Sequence, residues 1–376
     1  MTDSDGVELG RRHEAASDSG SAVPRVSVVM SVYNGEPYLR AAIDSILKQT
    51  LTELEFIIVD DGSTDGSKAI IDSYVDPRIV RLRHAQNLGM GHAYNRAFRI
   101  ARGEFIAMQD ADDLSLPDRL LTEATCLRQD PQVGVIGTAF YEANAEGEPI
   151  NVIAPAPTDT GVRWQMLFIT PLCHGSMMFR RRLVEDNELY YEASPPVEDY
   201  EFLTKLLKRT RVACLAAPLY VYRRHGKSTR DRLSSETTPA VLAISSRQIT
   251  ALLPERRLTQ SDIEALHRCL YPKEITTAAM SSCVMMFQLF AAFEQQQGID
   301  LHVVHCLRRD WIKRTLARIR ATQWREIWIS GYFSSILKYD PMALAVVAPP
   351  ELLKRIVGRV GLRRSRKNGR PSRVAL

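Results

Sequence analysis

The sequence lacks the features that announce several large function classes. Its six cysteines (126, 173, 214, 269, 283 and 306) include no Cys-x-x-Cys pair, and none clusters with histidine at zinc-site spacing. They read as buried, reduced thiols. No Gly-x-x-x-x-Gly-Lys-Ser/Thr or Gly-x-Gly-x-x-Gly element occurs, so a Walker-type ATPase and a dinucleotide-binding dehydrogenase both lose support. No Gly-x-Ser-x-Gly nucleophile elbow occurs either. No basic segment followed by an apolar core opens the chain, so a secretory signal is not expected. Internal repeats are not visible.

What is present is ordinary globular composition. The 376 residues are 45% hydrophobic and 25% charged, with 20 Gly and 19 Pro, which excludes collagen-like and wholly disordered chains. The length suggests about two domains. The net charge of +5 is unevenly spread. Residues 1–24 carry five acids and two arginines and read as a disordered leader. Residues 351–376 carry nine bases against Glu351 alone, leaving 25–350 neutral overall. A neutral body with a basic tail points to a tail that meets anions, not to a nucleic-acid-binding surface.

Short β-rich runs alternate with helical runs over 26–140. Strands are expected at 26–32, 56–59, 79–82 and 104–108, and helices at 38–50, 67–74 and 90–102. This alternation, with near-continuous apolar strands, predicts an α/β fold: a mostly parallel sheet flanked by helices. Residues 141–230 read as irregular, then mixed, with a strand over 172–180 and a helix over 198–209. From about Pro239 onward the pattern is helical. Residues 275–293 carry no charge, but Thr276, Thr277, Ser281, Ser282 and Gln288 favour a buried helix over a membrane-embedded one.

Two strands end in acids, Asp60-Asp61 and Asp110-Ala111-Asp112-Asp113. Ligands of open parallel sheets bind at the carboxyl ends of the strands. Crowded carboxylates repel unless something cationic or hydrogen-bond-donating sits among them. A lone Asp-x-Asp is usually a solvated turn. Here the preceding strand and the second cluster favour Asp110 and Asp112 facing one hard divalent ion, Mg²⁺ or Mn²⁺, that keeps positions for phosphate oxygens. Asp61, followed by glycine, suits contact with a nucleobase or ribose, whereas Asp65 reads as a helix cap. Glu198-Asp199 opens a helix, and on spacing alone reads as ordinary N-terminal acids. His84, His92, His302 and His305 read as surface or packing residues, and Trp164, Trp311, Trp324 and Trp328 as core or interface.

Residues 26–113 resemble family 2 glycosyltransferases of the A-type fold. The matching pieces are Val28-Val29-Met30-Ser31-Val32-Tyr33-Asn34, Ile43-Asp44-Ser45-Ile46-Leu47-Lys48-Gln49-Thr50 and Ile58-Val59-Asp60-Asp61-Gly62-Ser63-Thr64-Asp65. Asn87-Leu88-Gly89, Arg102-Gly103-Glu104-Phe105-Ile106, Asp110-Ala111-Asp112-Asp113 and Pro117-Asp118-Arg119-Leu120 follow in order. The likeness extends more loosely to about residue 230 through His174-Gly175-Ser176, Glu198-Asp199-Tyr200 and Tyr222-Arg223-Arg224-His225 with Ser228.

The resemblance implies an inverting, metal-dependent transfer from a nucleotide-sugar, UDP favoured, to a glycan or lipid-linked acceptor in surface-polysaccharide synthesis. It implies Asp60, Asp61, Tyr33, Asn34 and Glu36 around the nucleotide, and Asp112 on Mn²⁺ or Mg²⁺ with Asp110 in support. Asp110 also counts among the donor-binding residues. Arg224 and His225 lie near the diphosphate, Asp199 is the general base, and His174 and Glu198 are on the acceptor side. The catalytic unit is expected over 25–230, with helices over 231–350. No Gln-x-x-Arg-Trp motif is evident, which favours single additions over processive synthesis. Two rivals remain: a sugar nucleotidyltransferase, and a non-catalytic binding protein of the same fold. Leu352, Leu353, Ile356, Val357 and Val360 share one helical face ahead of a run of arginines. That predicts a cytoplasmic enzyme whose tail can lie on an anionic membrane surface.

Overall fold

The computed structural model describes residues 23–192, 197–226, 234–270 and 279–317, together with the isolated residues 335 and 338. The leader to residue 22, Ser228, Trp324, Trp328 and the basic tail lie outside the described residues.

The first half is built as the hydrophobic pattern predicts. β1 (Val26–Val32) and β2 (Leu54–Asp60) are apolar almost throughout and buried almost throughout, as strands covered on both faces must be. β3 (Ile79–Arg83) and β4 (Phe105–Asp110) complete a parallel set in the order β3-β2-β1-β4. Between them run α1 (Glu36–Leu47), α2 (Ser67–Asp72) and α3 (Met90–Ile100). Pro37 sits in the first turn of α1, where its missing N–H costs nothing, and Leu39, Ala42, Ile43 and Ile46 bury one helical face.

The second half departs from expectation. The parallel ladders still hold most of the paired residues, as expected, but antiparallel pairings enter here and make the sheet mixed. β5 (Leu114–Ser115) and α4 (Arg119–Gln129) lead into β6 (Val133–Ala143), β7 (Pro149–Ile153) and α5 (Asp159–Gln165). The strand expected over 172–180 is a 3-10 turn, His174–Ser176, followed by only three strand residues, β8 (Met178–Arg180). β8 runs antiparallel to both β4 and β6, and so joins the two halves. α6 (Arg181–Glu185) and α7 (Glu198–Leu207) precede β9 (Arg211–Arg223). The sequence pattern hides β6 and β9. Gly134 and Gly137 interrupt β6, and a Cβ at Gly134 would stand 2.3 Å from Thr210 Oγ1. β9 contains Pro218, and its register against β6 slips around Ala139, where Pro218 is the partner. Past the slip, β9 also pairs antiparallel with β5. The curl brings Tyr220 and Arg223, and His225 just beyond, over the end of β4.

Among the described residues the chain continues with α8 (Ser234–Leu252), α9 (Gln260–Leu270), α10 (Ala279–Phe293) and α11 (Leu301–Ala317). They share one apolar core with Trp164, Leu167 and Phe168 of the preceding unit, and Trp164 stacks on Phe290 at 4.0 Å. α10 is therefore a packed core helix. Among the described residues no helix is long and apolar enough to cross a membrane. Trp311 is buried in the same core, while Cys306 is exposed, contrary to the reading of all six thiols as buried.

Candidate active site

Both acid clusters lie at the carboxyl edge of the parallel strands, flanking β1. At the end of β2 the carboxylates turn inward. Asp60 accepts from Arg83 Nε at 2.9 Å and from the Ser63 N–H at 3.0 Å. Asp61 accepts from His84 Nδ1 at 2.6 Å, from the Leu88 N–H at 3.0 Å and from the Gly89 N–H at 2.9 Å. Gly62 makes the bend possible, with a φ of +72° and the Gln86 carbonyl carbon 2.4 Å from where a Cβ would sit. Asp61 therefore pins the 84–89 loop. His84, read as a packing residue, is its closest partner; 23 residues of separation hid the pair.

Next to this pair, Asn34 has a φ of +53°, and its Oδ1 accepts from the Thr64 N–H at 2.8 Å. Glu36 Oε2 accepts from the Gly66 N–H at 2.9 Å. Tyr33 is exposed. Asp65 caps the start of α2 through the Ser67 N–H, as expected, and also accepts from the Glu36 N–H. These residues tie the end of β1 to the loop after β2.

The β4 cluster is divided among three tasks. Asp110 Oδ1 lies 2.8 Å from His174 Nδ1 and 3.3 Å from the Tyr94 hydroxyl. Burial alone would raise the Asp110 carboxyl, but His174, Tyr94 and Arg119 outweigh it and hold it below its ordinary value. Burial would likewise lower His174, but Asp110, then Asp199 and Glu198, raise it above its ordinary value. His174 Nε2 meets the Tyr191 hydroxyl at 2.9 Å. Asp113 faces inward and accepts from the Arg223 N–H at 2.8 Å, while among the described residues its Oδ2 has no partner. Burial, reinforced by Asp112 and Asp110, pushes it well above the carboxylate range. Asp112 is the most open of the three, a third of its side chain facing solvent. Its Oδ2 lies 2.9 Å from His225 Nε2, and its backbone carbonyl accepts from Arg223 Nη1. Asp110 and Asp112 thus face different partners: β4 ends at Asp110, and the extended spacing that would align them stops there.

Asp199 and Glu198 open α7. Asp199 Oδ1 accepts from the Tyr200 N–H at 2.8 Å. Glu198 lies at the N-terminus of α3, its Oε2 3.0 Å from where a Gly91 Cβ would sit; burial pushes its carboxyl up. Both acids act on His174 and on Tyr191, whose hydroxyl is driven well above its ordinary value by burial and by Asp199. The structure therefore gathers Asp110, His174, Glu198 and Asp199 on one flank and Asp112 with His225 on the other. Arg224 is not part of either group: it is largely exposed and pairs with Glu142 at 3.2 Å. The residue the sequence reading passed over is its neighbour Arg223, buried under the cluster with its guanidinium over the Tyr38 ring. Tyr191 was missed because it sits in an irregular stretch with no periodic signal.

The family model described as "Glycosyl transferase family 2" matches residues 27–187. A glycosyltransferase of Haemophilus influenzae, itself uncharacterized, is 30% identical over 247 residues, which is 61% of this chain and 75% of that relative. This chain belongs to glycosyl transferase family 2. The putative glycosyltransferase EpsE of Bacillus subtilis is 36% identical over 42% of this chain and 56% of its own length. The chain thus spans only about half of some curated relatives. Among solved structures, residues 1–349 of Staphylococcus aureus TarS in complex with UDP-GlcNAc match with a TM-score of 0.51 and 20% identity. The match covers 84% of this chain and 91% of that one, and establishes the likeness of fold. The transferase's core match thus includes both acid clusters and His174, and stops short of Asp199 and His225.

Proposed function

We propose that this glycosyltransferase transfers a sugar, with inversion, from a nucleotide-sugar to a hydroxyl of a glycan or lipid-linked acceptor in surface-polysaccharide synthesis. The reading rests on one observation: the edge of β4 presents Asp112 with His225 on one flank and Asp110 with His174 and Tyr191 on the other. UDP-sugars come first among donors, because a protein of the same fold was crystallised with UDP-GlcNAc.

Asp199 takes the proton of the acceptor hydroxyl as that oxygen attacks the anomeric carbon. The bond to the diphosphate oxygen breaks on the opposite face, and the electron pair leaves with the nucleoside diphosphate. Asp110 and Tyr191 hold the His174 ring between them, so the acceptor side is fixed before substrate arrives. Asp61 fixes the 84–89 loop as one wall of the nucleotide pocket, with Asp60, Tyr33, Asn34 and Glu36 at the adjoining rim. Arg223 supports the Asp112 turn from beneath.

The donor set fits a divalent ion. Asp112 Oδ2 and His225 Nε2 stand 2.9 Å apart with Asp112 partly open to solvent, so these two side chains would together hold the ion. Among the described residues no group of three His, Cys, Asp or Glu could hold a metal unaided, so diphosphate oxygens and water would complete the shell. When bound, Mn²⁺ or Mg²⁺ supplies Lewis-acid stabilisation of the departing diphosphate. A cytoplasmic location, with residues 351–376 on an anionic membrane surface, belongs to the same proposal.

The test is a thermal-shift panel of UDP, GDP, CDP and dTDP with Mn²⁺, Mg²⁺ or EDTA. A ligand that binds only the native state raises its midpoint by mass action. The expected result is a shift for one nucleotide that needs metal and is lost in Asp112→Asn. An equal shift in EDTA and in that variant would remove the metal assignment. No shift with any nucleotide would remove the donor site.

A further inference from the structure

A second charged site lies at the opposite edge of the sheet. β4, β6 and β9 run in the same direction, since β8 is antiparallel to β4 and β6, and β9 is parallel to β6. Asp110 ends β4, whereas Val133 and Arg211 begin β6 and β9, and Arg180 pairs with Phe105 at the start of β4. At about 3.3 Å per residue, the two edges are roughly 17 Å apart.

At this far edge is an open cleft of about 870 Å³. Six bases line it, Arg163, Arg180, Arg182, Lys208, Arg209 and Arg211, against one acid, Asp159. That acid is already spent: its Oδ2 accepts from Arg163 Nε at 2.7 Å and its Oδ1 from the Val212 N–H at 2.8 Å. Arg163 also donates to the Leu207 and Thr210 carbonyls, and so is pinned at the C-terminus of α7. Arg180 is buried and donates to the carbonyls of Val133, Leu127 and Asp130, none of which cancels its charge. Burial and the neighbouring Arg182 lower its affinity for its proton, outweighing the opposite pull of the Glu104 and Asp130 carboxylates. Among the described residues Arg211 donates to the neutral Gln132 side chain and meets no carboxylate. Arg182, Lys208 and Arg209 are exposed, and among the described residues none has a carboxylate within ion-pair distance. Gln297 and Gly298, from the turn before α11, close the rim.

Like charges gathered in a cleft repel one another, and residues 25–350 as a whole are neutral, so the concentration is local. An anion is the missing partner. The Asp159–Arg163 pair cancels within the wall, which leaves five bases; guanidinium forks such as those of the exposed Arg182 and Arg209 suit phosphate oxygens. The volume exceeds one phosphate group and has the size of a small-ligand site. It is concave, unlike the extended stripe that tracks a nucleic-acid backbone.

We propose that this cleft binds a ligand carrying several phosphate groups, at a site separate from the donor site. Free polyphosphate esters and phospholipid head groups share that chemistry. The test titrates inorganic triphosphate into the full chain by calorimetry, in EDTA at low salt. It compares the wild type with Arg182→Ala/Lys208→Ala/Arg209→Ala and with Asp112→Asn. The same proteins are sedimented with vesicles of phosphatidylcholine alone and of a phosphatidylcholine–phosphatidylglycerol mixture. The three substituted side chains are exposed, and circular dichroism checks that the triple variant is folded. Losing three charge-assisted contacts should weaken triphosphate binding about tenfold or more, while Asp112→Asn leaves it unchanged. A loss confined to triphosphate assigns a soluble ligand. A loss of mixed-vesicle binding, with the basic tail still present, assigns a lipid head group. If the wild type binds neither probe, or the triple variant binds both as the wild type does, the proposal is wrong.

Discussion

Two strands flanking β1 each end in adjacent acids at the same edge of the sheet, and the two sets do opposite things. At the end of β2 every oxygen of Asp60 and Asp61 has a donor. At the end of β4, Asp112 has one imidazole on one oxygen, and a third of its side chain faces solvent. The acids alone do not distinguish a structural carboxylate from a reactive one. The supply of donors around them does. Where the fold provides a full set, the charge is used to hold a loop; where it leaves the set short, a ligand can complete it.

Substitutions can break that contrast. The largest effect is expected on the open side. Asp199→Asn should cost roughly 10²- to 10⁴-fold in kcat, with donor binding little changed. Initial rates with an accepted donor measure it, and near-wild-type turnover would remove Asp199 as the base. Next comes the closed side. Asp61→Ala should cost about 1–3 kcal/mol in denaturant unfolding, because it strips His84 and the Leu88 N–H, both at a part-buried site, of their acceptor, while the Gly89 N–H keeps Asn87 Oδ1. An unchanged midpoint would show that the closed cluster is not structural. Asp112→Asn should do the reverse, leaving the thermal midpoint nearly unchanged while metal-dependent nucleotide binding weakens roughly 10- to 100-fold.

A pH-dependent effect concerns the wall behind the open cluster. Arg119 donates to the Met108 and Gly175 carbonyls and stands 3.4 Å from Glu123, both side chains being fully buried. Burial outweighs Arg119 and pushes Glu123 up from 4.5 to about 8. Between those values the unfolded chain has released a proton that the folded chain keeps, so stability falls as pH rises through the window. Glu123→Gln should flatten that decline in chemical unfolding measured from pH 5 to 8. An unaltered slope would mean the pair is ionised in the fold.

The legible part of the molecule is the part whose physics is local. Val26–Val32 and Leu54–Asp60 announce themselves as buried strands because both faces are covered. Their ends are marked by acids and glycine. β6 and β9 carry no such signal, because Gly134, Gly137 and Pro218 are set by close approach and by a register slip between distant segments. The site divides in the same way. Asp112 and Asp199 are visible as motif positions. The partners that set their surroundings, His84, Tyr191 and Arg223, are contributed across 23 residues or more or from irregular backbone, and only the fold reveals them.

The slip in β9 makes that strand a ruler. It measures against β6 along its whole length and, past the slip, against β5 as well, so one length of chain fixes both where Tyr220 meets the Asp110 N–H and where His225 meets Asp112. Side chains alternate across a strand, so removing one residue between Leu215 and Pro218 would exchange the inner and outer faces of everything after it. The 2.9 Å separation of Asp112 and His225 is thus a matter of counting as much as of chemistry. Among variants of this chain, length changes in 215–218 should be tolerated far less than side-chain changes there.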